Sequence, residues 1–166
     1  GGDTWQPLTA GLPAEGIGRT GIAVAPGQPQ RVYACVDCLL PETGTPPPPP
    51  QRDTTPRQGG FFRSDDGGAT WTRTSSDTAL WGRGWYFEHV VVDPHDPDLV
   101  YVSNISVSRS SDGGKTWVPL RGSPGGDDYH QAWISPDDPA TMIVASDQGC
   151  IITRNAKTDD PRDVSW

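Results

Sequence analysis

Two carboxylic acids, Glu88 and Asp128, are the candidate catalytic residues of this chain. Each lies upstream of a short apolar run that ends at a proline, Pro94 in the first case and Pro136 in the second. Two carboxyl groups held about 5–10 Å apart can cleave a glycosidic bond, one as the acid and the other as its partner. Glycoside hydrolysis is therefore one hypothesis for the chemistry of this chain.

Further charged and aromatic residues stand at corresponding places, just before the apolar runs. Such groups at one end of a fold are typical of a binding mouth for polar ligands or sugars. The candidate binding residues are Arg19, Arg83, Trp85, Tyr86, His89, Asp127, Tyr129 and His130. The alternative is structural, because Glu88 and His89 could instead hydrogen-bond neighbouring repeats and hold the fold together.

His89, Asp128 and His130 could together hold a metal ion. No two histidines have the close spacing typical of a zinc site, so neither a metal nor a cofactor is predicted. The pair Cys35-x-x-Cys38 also lacks the second pair that would complete a zinc site. A disulfide from Cys35 or Cys38 to Cys150 and free thiols remain open alternatives.

The motif at 63–71 organises the chain, because it returns at 109–117 with a constant offset of 46 residues. Its Asp-Gly-Gly supplies the positive φ of a tight turn between strands. The carboxylate and the hydroxyl of the motif can accept hydrogen bonds from turn amides. The predicted structural residues are Ser64, Asp66, Gly68, Trp71, Ser110, Asp112, Gly114 and Trp117.

Strand-like segments recur around this motif in units of four. First strands are predicted at 21–25, 89–93 and 131–135, second strands at 31–36, 99–104 and 141–146, third strands at 61–64, 107–110 and 150–154, and fourth strands at 70–74, 116–120 and from 164 onward. No helix is needed in this scheme.

The predicted fold class is all-β: β-propeller blades of four antiparallel strands, about three of them plus an orphan strand, in an incomplete ring. The blades are predicted at 13–78, 79–124 and 125–166, with a proline-rich insert at 38–60 and an orphan outer strand at 1–12. Propellers close with about four to eight blades. The remaining blades are therefore expected in another chain or in missing sequence, or the chain self-associates. The half motif at 1–5 favours a fragment of a longer propeller.

Composition limits the partners. The chain has 20 Gly, 18 Pro and a net charge of -8 without a basic cluster, so nucleic acid is not an expected partner. No apolar stretch is long enough to span a membrane. The sequon Asn104-Ile105-Ser106 would matter only in a eukaryotic secretory pathway.

The two motif copies, Ser64-x-Asp66-x-Gly68-x-Thr70-Trp71 and Ser110-x-Asp112-x-Gly114-x-Thr116-Trp117, resemble the Asp-box, or bacterial neuraminidase repeat. Together with the segments 17–24, 82–94 and 146–149, they resemble secreted bacterial sortilin-type propellers. The proline loop and the altered third motif are departures from that pattern. The resemblance implies an extracellular or periplasmic location, and its relatives include sialidases, xyloglucanases and the sortilin ectodomain. A shared fold does not fix the chemistry.

These observations favour a binding or scaffold module for a protein or a glycan, as part of a larger propeller. The alternative is part of a glycoside hydrolase, xyloglucanase-like or sialidase-like, with a carboxylate-based site at the channel mouth. A non-enzymatic role is favoured.

Overall fold

Three antiparallel sheets make up the computed structural model, which describes residues 2–42, 44, 56–120 and 127–166. We call these sheets blades 1, 2 and 3. Blade 1 contains β1 (Thr20–Val24), β2 (Val32–Val36), β3 (Gly60–Ser64) and β4 (Thr72–Ser75). Blade 2 contains β5 (His89–Val92), β6 (Val100–Ser103), β7 (Val107–Ser110) and β8 (Val118–Pro119), and blade 3 contains β9 (Tyr129–Ile134), β10 (Met142–Ser146) and β11 (Gly149–Thr153). The all-β class and the unclosed set of blades are confirmed.

The order of strands within each blade follows the order of the chain. The first strands, β1, β5 and β9, lie side by side across the three blades. The segments that lead into these strands therefore meet at one end of the molecule, which we call the mouth.

The cores lie between blades, because strand side chains alternate between two faces. We call the face of a blade that points toward the next blade its distal face, and the opposite face its near face. Tyr33 and Phe61 on the distal face of blade 1 pack with Val90 and Val92 on the near face of blade 2. A second layer joins blade 2 to blade 3 and includes Tyr101, Val107, Met142 and Val144. Each fully buried aliphatic or aromatic side chain contributes roughly 1.5–3 kcal/mol.

The two motif turns are closed by side-chain hydrogen bonds. The Ser64 hydroxyl donates to Asp66 Oδ1 at 2.7 Å and accepts from the Gly68 N–H at 2.8 Å. The Thr70 hydroxyl and N–H donate to the Asp66 carboxylate at 2.6 and 2.8 Å, and these bonds lower its pKa to about 2. Gly67 and Gly68 have φ of 72° and 95°, which favours glycine at both positions. The turn from Ser110 to Trp117 repeats this arrangement.

The third motif keeps part of the same hydrogen-bond arrangement despite its altered sequence. The Thr153 hydroxyl donates to Asn155 Oδ1 at 2.8 Å, as Ser64 donates to Asp66. The Ser165 N–H and hydroxyl donate to the same amide oxygen at 3.0 and 3.1 Å, as Thr70 does to Asp66. Asn155 and Ser165 are ten positions apart rather than four, so the third turn is a lengthened copy of the other two.

Several sequence predictions are wrong. A one-turn helix α1 (Thr78–Trp81) and a 3₁₀ turn (Pro161–Asp163) are present, although no helix was expected. Leu80 and Trp81 of α1 are buried between blades 1 and 2, so tertiary packing explains this helix. The described residues 2–12 form no orphan strand, and no fourth strand follows β11 among the described residues; Val164 is instead buried in the core.

The insert begins as an extension of the β2–β3 hairpin. Pro41 pairs with Arg57, and the Gln58 N–H donates to Leu40 O at 2.9 Å. The five prolines at 46–50 lie outside the described residues. Cys35, Cys38 and Cys150 are free thiols, of which the first two are buried and the third is exposed.

Candidate functional site

Five of the predicted site residues come together at the mouth: Arg83, Trp85, Tyr86, Asp128 and His130. We call them the mouth cluster. The Trp85 and Tyr86 rings have centroids 5.7 Å apart, and Tyr86 meets His130 edge-on at 5.7 Å. The Arg83 guanidinium lies 5.9 Å from the Trp85 ring centroid and 3.5 Å from Asp128 Oδ1.

Backbone hydrogen bonds within the turn after α1 position the aromatic residues of this cluster. After α1 the chain turns, and the Tyr86 and Phe87 N–H groups donate to Arg83 O at 2.9 and 3.0 Å. Phe87 is buried and packs against the His130 ring with centroids 4.5 Å apart. The buried Phe87 thus fixes the positions of Tyr86 and His130. Trp85 and Tyr86 themselves are 64% and 51% exposed.

Asp128 and His130 reach the cluster from blade 3. Asp128 has a φ of 56°, and its N–H donates to Ile105 O at 3.1 Å. His130 Nε2 lies 2.7 Å from Asp147 Oδ1, so a carboxylate fixes the orientation of the imidazole. Sequence reasoning missed Asp147 as a site residue, although Asp147 falls in the segment 146–149 that carried the family resemblance.

Arg19 contacts the mouth through a hydrogen bond from its side chain to a backbone carbonyl. Its Nη1 donates to Tyr86 O at 2.6 Å, so the guanidinium links the entry of blade 1 to the aromatic turn. Asp127 is exposed beside Asp128. Tyr129, in contrast, is buried in the core between blades 2 and 3, so its ring does not face the mouth.

Glu88 joins blades 1 and 2. Its Oε1 accepts the Gly21 N–H at 3.1 Å, and its Oε2 is buried with no hydrogen-bond partner among the described nitrogen and oxygen atoms. Burial raises the pKa of this carboxyl to about 8, even though the bond from Gly21 and the nearby Arg19 act in the opposite direction. Glu88 is therefore protonated near neutral pH and turned into the blade interface.

His89 joins blade 2 to blade 3. Its Nδ1 accepts the Ala132 N–H at 3.2 Å, which requires an unprotonated nitrogen. Burial lowers the pKa of His89 and so favours the neutral ring. Glu88 and His89 therefore occupy the structural positions considered as the alternative to binding.

The mouth cluster is an open shelf on the surface. One cavity of about 270 Å³ lies elsewhere, beside the base of the insert, and is lined in part by Leu12, Phe62 and Arg73. Another, of about 230 Å³, lies between blades 2 and 3 near Arg109 and Lys157. Neither is lined by a predicted site residue.

Three other features of the described part of the chain concern metal ligation, the sequon and membrane insertion. Its His, Cys, Asp and Glu residues form no group of three or more arranged to hold a metal. The Asn104 side chain is buried and donates to Leu80 O at 3.1 Å, so the sequon amide is engaged in the fold. No helix in the described residues has the length and apolarity needed to cross a membrane.

Comparison with known proteins supports the fold. No family model matches the chain, and no curated protein matches it. Among solved structures, it is similar to the GH74 xyloglucanase from Xanthomonas campestris, with a TM-score of 0.54 and 20% identity over 80% of this chain and 20% of that one. It is also similar to YCF48 from Cyanidioschyzon merolae, with a TM-score of 0.56 and 17% identity over 93% of this chain and 40% of that one. Both are β-propeller proteins, and this chain spans less than half the length of either.

Proposed function

We propose that this chain is a segment of a larger β-propeller and binds a glycan at the mouth cluster. The exposed pair of Trp85 and Tyr86, flanked by Arg83–Asp128 and His130–Asp147, carries this proposal. A sugar ring has apolar C–H faces that pack on aromatic rings, and hydroxyl groups that bond to charged side chains at the edge. A shelf with two exposed rings and polar groups on both sides supplies both kinds of contact.

The other parts of the proposal follow from the open fold. Further blades would complete the ring, from another chain, from further sequence or from a second copy. The Asp-box and sortilin-type resemblance, and an extracellular or periplasmic location where glycans are met, belong to the same proposal.

A glycan array probed with the 166-residue chain tests the binding. We expect a bound class of glycans, and Trp85→Ala is expected to weaken its binding about tenfold, since a loss of about 1.4 kcal/mol is tenfold in affinity. Trp5→Ala is the matched control, because Trp5 is 87% exposed and lies outside the mouth cluster. Capture of a protein but no glycan, or equal loss in both variants, would contradict the proposal.

A glycoside hydrolase is the second candidate, favoured by the raised pKa of Glu88. A carboxyl that is protonated near neutral pH is suited to act as a general acid. Against this, Glu88 Oε1 accepts the Gly21 N–H and Oε2 is buried. Turnover of xyloglucan oligosaccharides that is abolished by both Glu88→Gln and Asp128→Asn would favour the hydrolase over the binding module.

A further inference from the structure

The near face of blade 1 exposes apolar side chains that are buried at the same positions of the next blade. Ile22 and Val24 stand four and two residues before Pro26, as Val90 and Val92 stand before Pro94. Val90 and Val92 are 3% and 5% exposed between blades 1 and 2, whereas Ile22 and Val24 are 63% and 52% exposed. Strand β1 therefore has the composition of a blade interface without its neighbour.

The distal face of blade 3 is exposed in the same way. Ile143 pairs with Trp133 on one side and with Ile152 on the other, which makes an apolar row across all three strands. Trp133 and Ile152 are 50% and 53% exposed. Three large apolar side chains in one row on an open sheet face indicate a surface that another protein element covers.

The equivalent rows of blades 1 and 2 show how such a face meets its neighbour. In blade 1, Tyr33 pairs with Arg63, and the Tyr33 hydroxyl donates to Pro97 O of blade 2 at 2.7 Å. In blade 2, Tyr101 pairs with Arg109. Arg109 donates to the carbonyls of Ala156 and Thr158 in blade 3 at 2.9 and 2.8 Å. A Tyr–Arg pair thus binds the turns of the following blade.

Blade 3 has Ile143 and Ile152 in place of that pair, so its distal face suits a turn with no acidic group to bind. The near face of blade 1 offers such a turn. In blade 2, Asp98 stands four residues after Pro94 and forms ion pairs with Arg31 and Arg63 of blade 1. Four residues after Pro26 stands the neutral Gln30. On the near face of blade 1 the exposed part is β1, because Val32, Ala34 and Phe62 on the same face are buried in a cluster that also contains Trp71 and Leu12. The apolar row of blade 3 and the exposed strand β1 match in apolar character and in lacking the charged partners.

We propose that the distal face of blade 3 binds the exposed strand β1 on the near face of blade 1 in a second copy of this chain, head to tail. This inference rests on the proposed function, in which the set of blades is not closed, and it identifies the missing neighbour as a second copy of the chain. Two copies would contribute six blades, within the range of about four to eight at which propellers close. The contact is heterologous and would occur twice in a closed dimer.

Light scattering of the 166-residue chain after size exclusion tests the pairing. We expect the mass to approach twice the 17.8 kDa of one chain as the concentration rises. Ile152→Glu and Val24→Glu are each expected to return the mass to that of one chain, because a carboxylate would be buried against an apolar face. Ile105→Glu is the matched control, since Ile105 is 48% exposed in a turn outside both faces.

Mixing the two variants distinguishes a head-to-tail contact from a symmetric one. The Ile152→Glu chain keeps an intact near face on blade 1, and the Val24→Glu chain keeps an intact distal face on blade 3. An equimolar mixture is therefore expected to regain a two-chain species that neither variant forms alone. A wild-type mass of one chain at every concentration, or a mixture that stays at one chain, would overturn the proposal.

Circular dichroism of each variant confirms that it is folded, which is expected because both altered side chains are exposed. The monomeric Ile152→Glu chain also separates the two proposals. If it still binds glycans at Trp85 while wild type fails to pair, only the pairing is wrong; if wild type pairs but binds no glycan, only the mouth assignment is wrong.

Discussion

The pH dependence of stability gives a direct test of the role of Glu88. Its pKa is raised from 4.5 to about 8 by burial, so the folded protein holds a proton that the unfolded chain loses above pH 4.5. The stabilisation is fully present below pH 4.5 and is lost as the pH rises through about 8. Each pKa unit corresponds to about 1.4 kcal/mol, so the whole shift sets an upper bound of about 5 kcal/mol.

Glu88→Gln removes the ionisation and keeps an oxygen for the Gly21 N–H. Because the positive charge of the nearby Arg19 stabilises the ionised form of Glu88, we expect a part of the upper bound, about 2–4 kcal/mol. Urea unfolding from pH 5 to pH 9 should show the wild type losing this amount relative to Glu88→Gln. Asp37, whose pKa is also raised by burial, is present in both proteins, so the difference between them reports the ionisation of Glu88 together with its interaction with Asp37. The same substitution at the exposed Glu15 is the matched control. If wild type and Glu88→Gln decline in parallel with pH, the assigned burial of the charge is wrong.

Two further predictions concern the hydrogen bonds that close the turns and join the blades. Asn155→Ala should lower the free energy of unfolding, measured in urea, by about 1–3 kcal/mol, because the hydrogen bonds from Thr153 and Ser165 lose their acceptor. Asn155→Asp keeps the acceptor and should lower it less. Equal losses in the two variants would contradict the assigned turn. Arg109→Met should cost about 2–4 kcal/mol, because it leaves carbonyls at the boundary of blades 2 and 3 without their donor; an unchanged urea midpoint would show that these bonds contribute nothing.

The strands were predictable because their signals are local. Alternating apolar residues before Pro26 and Pro94 mark the first strands, and the Asp-Gly-Gly turns mark the hairpins between the third and fourth. The third turn was predicted only as an altered motif followed by a strand from 164, because its signal is not local. Asn155 and Ser165 have the residue types of the motif, but six inserted positions separate them.

The positions of site residues were predictable where the strand pairing has no irregularity. Aligning the chain on its prolines brought Arg83, Tyr86 and His130 to the mouth, because all three blades start their first strand in the same way. Tyr129 was misplaced because the pairing of β9 with β10 shifts between Ala145 and Ser146. The extra residue in β9 reverses the alternation, so Tyr129 points into the core. A bulge of this kind depends on the partner strand and has no signal in β9 itself.

Two adjacent residues connect the mouth to both blade interfaces. Glu88 bonds to Gly21 in blade 1, and His89 bonds to Ala132 in blade 3, so the entry to β5 is fixed from both sides. Both groups are neutral in the folded protein, but Glu88 becomes charged as the pH rises and His89 becomes charged as the pH falls. Burial lowers the pKa of His89, so the stabilisation that its neutral ring contributes is lost as the pH falls below the ordinary histidine value of 6.5. The stabilisation that the protonated Glu88 contributes is lost as the pH rises above 4.5. Between those two values the effects of Glu88 and His89 on stability have opposite slopes with pH, so they offset each other there. Because Arg83, Trp85 and Tyr86 immediately precede this pair in the chain, the geometry of the mouth cluster depends on the same two uncharged bonds.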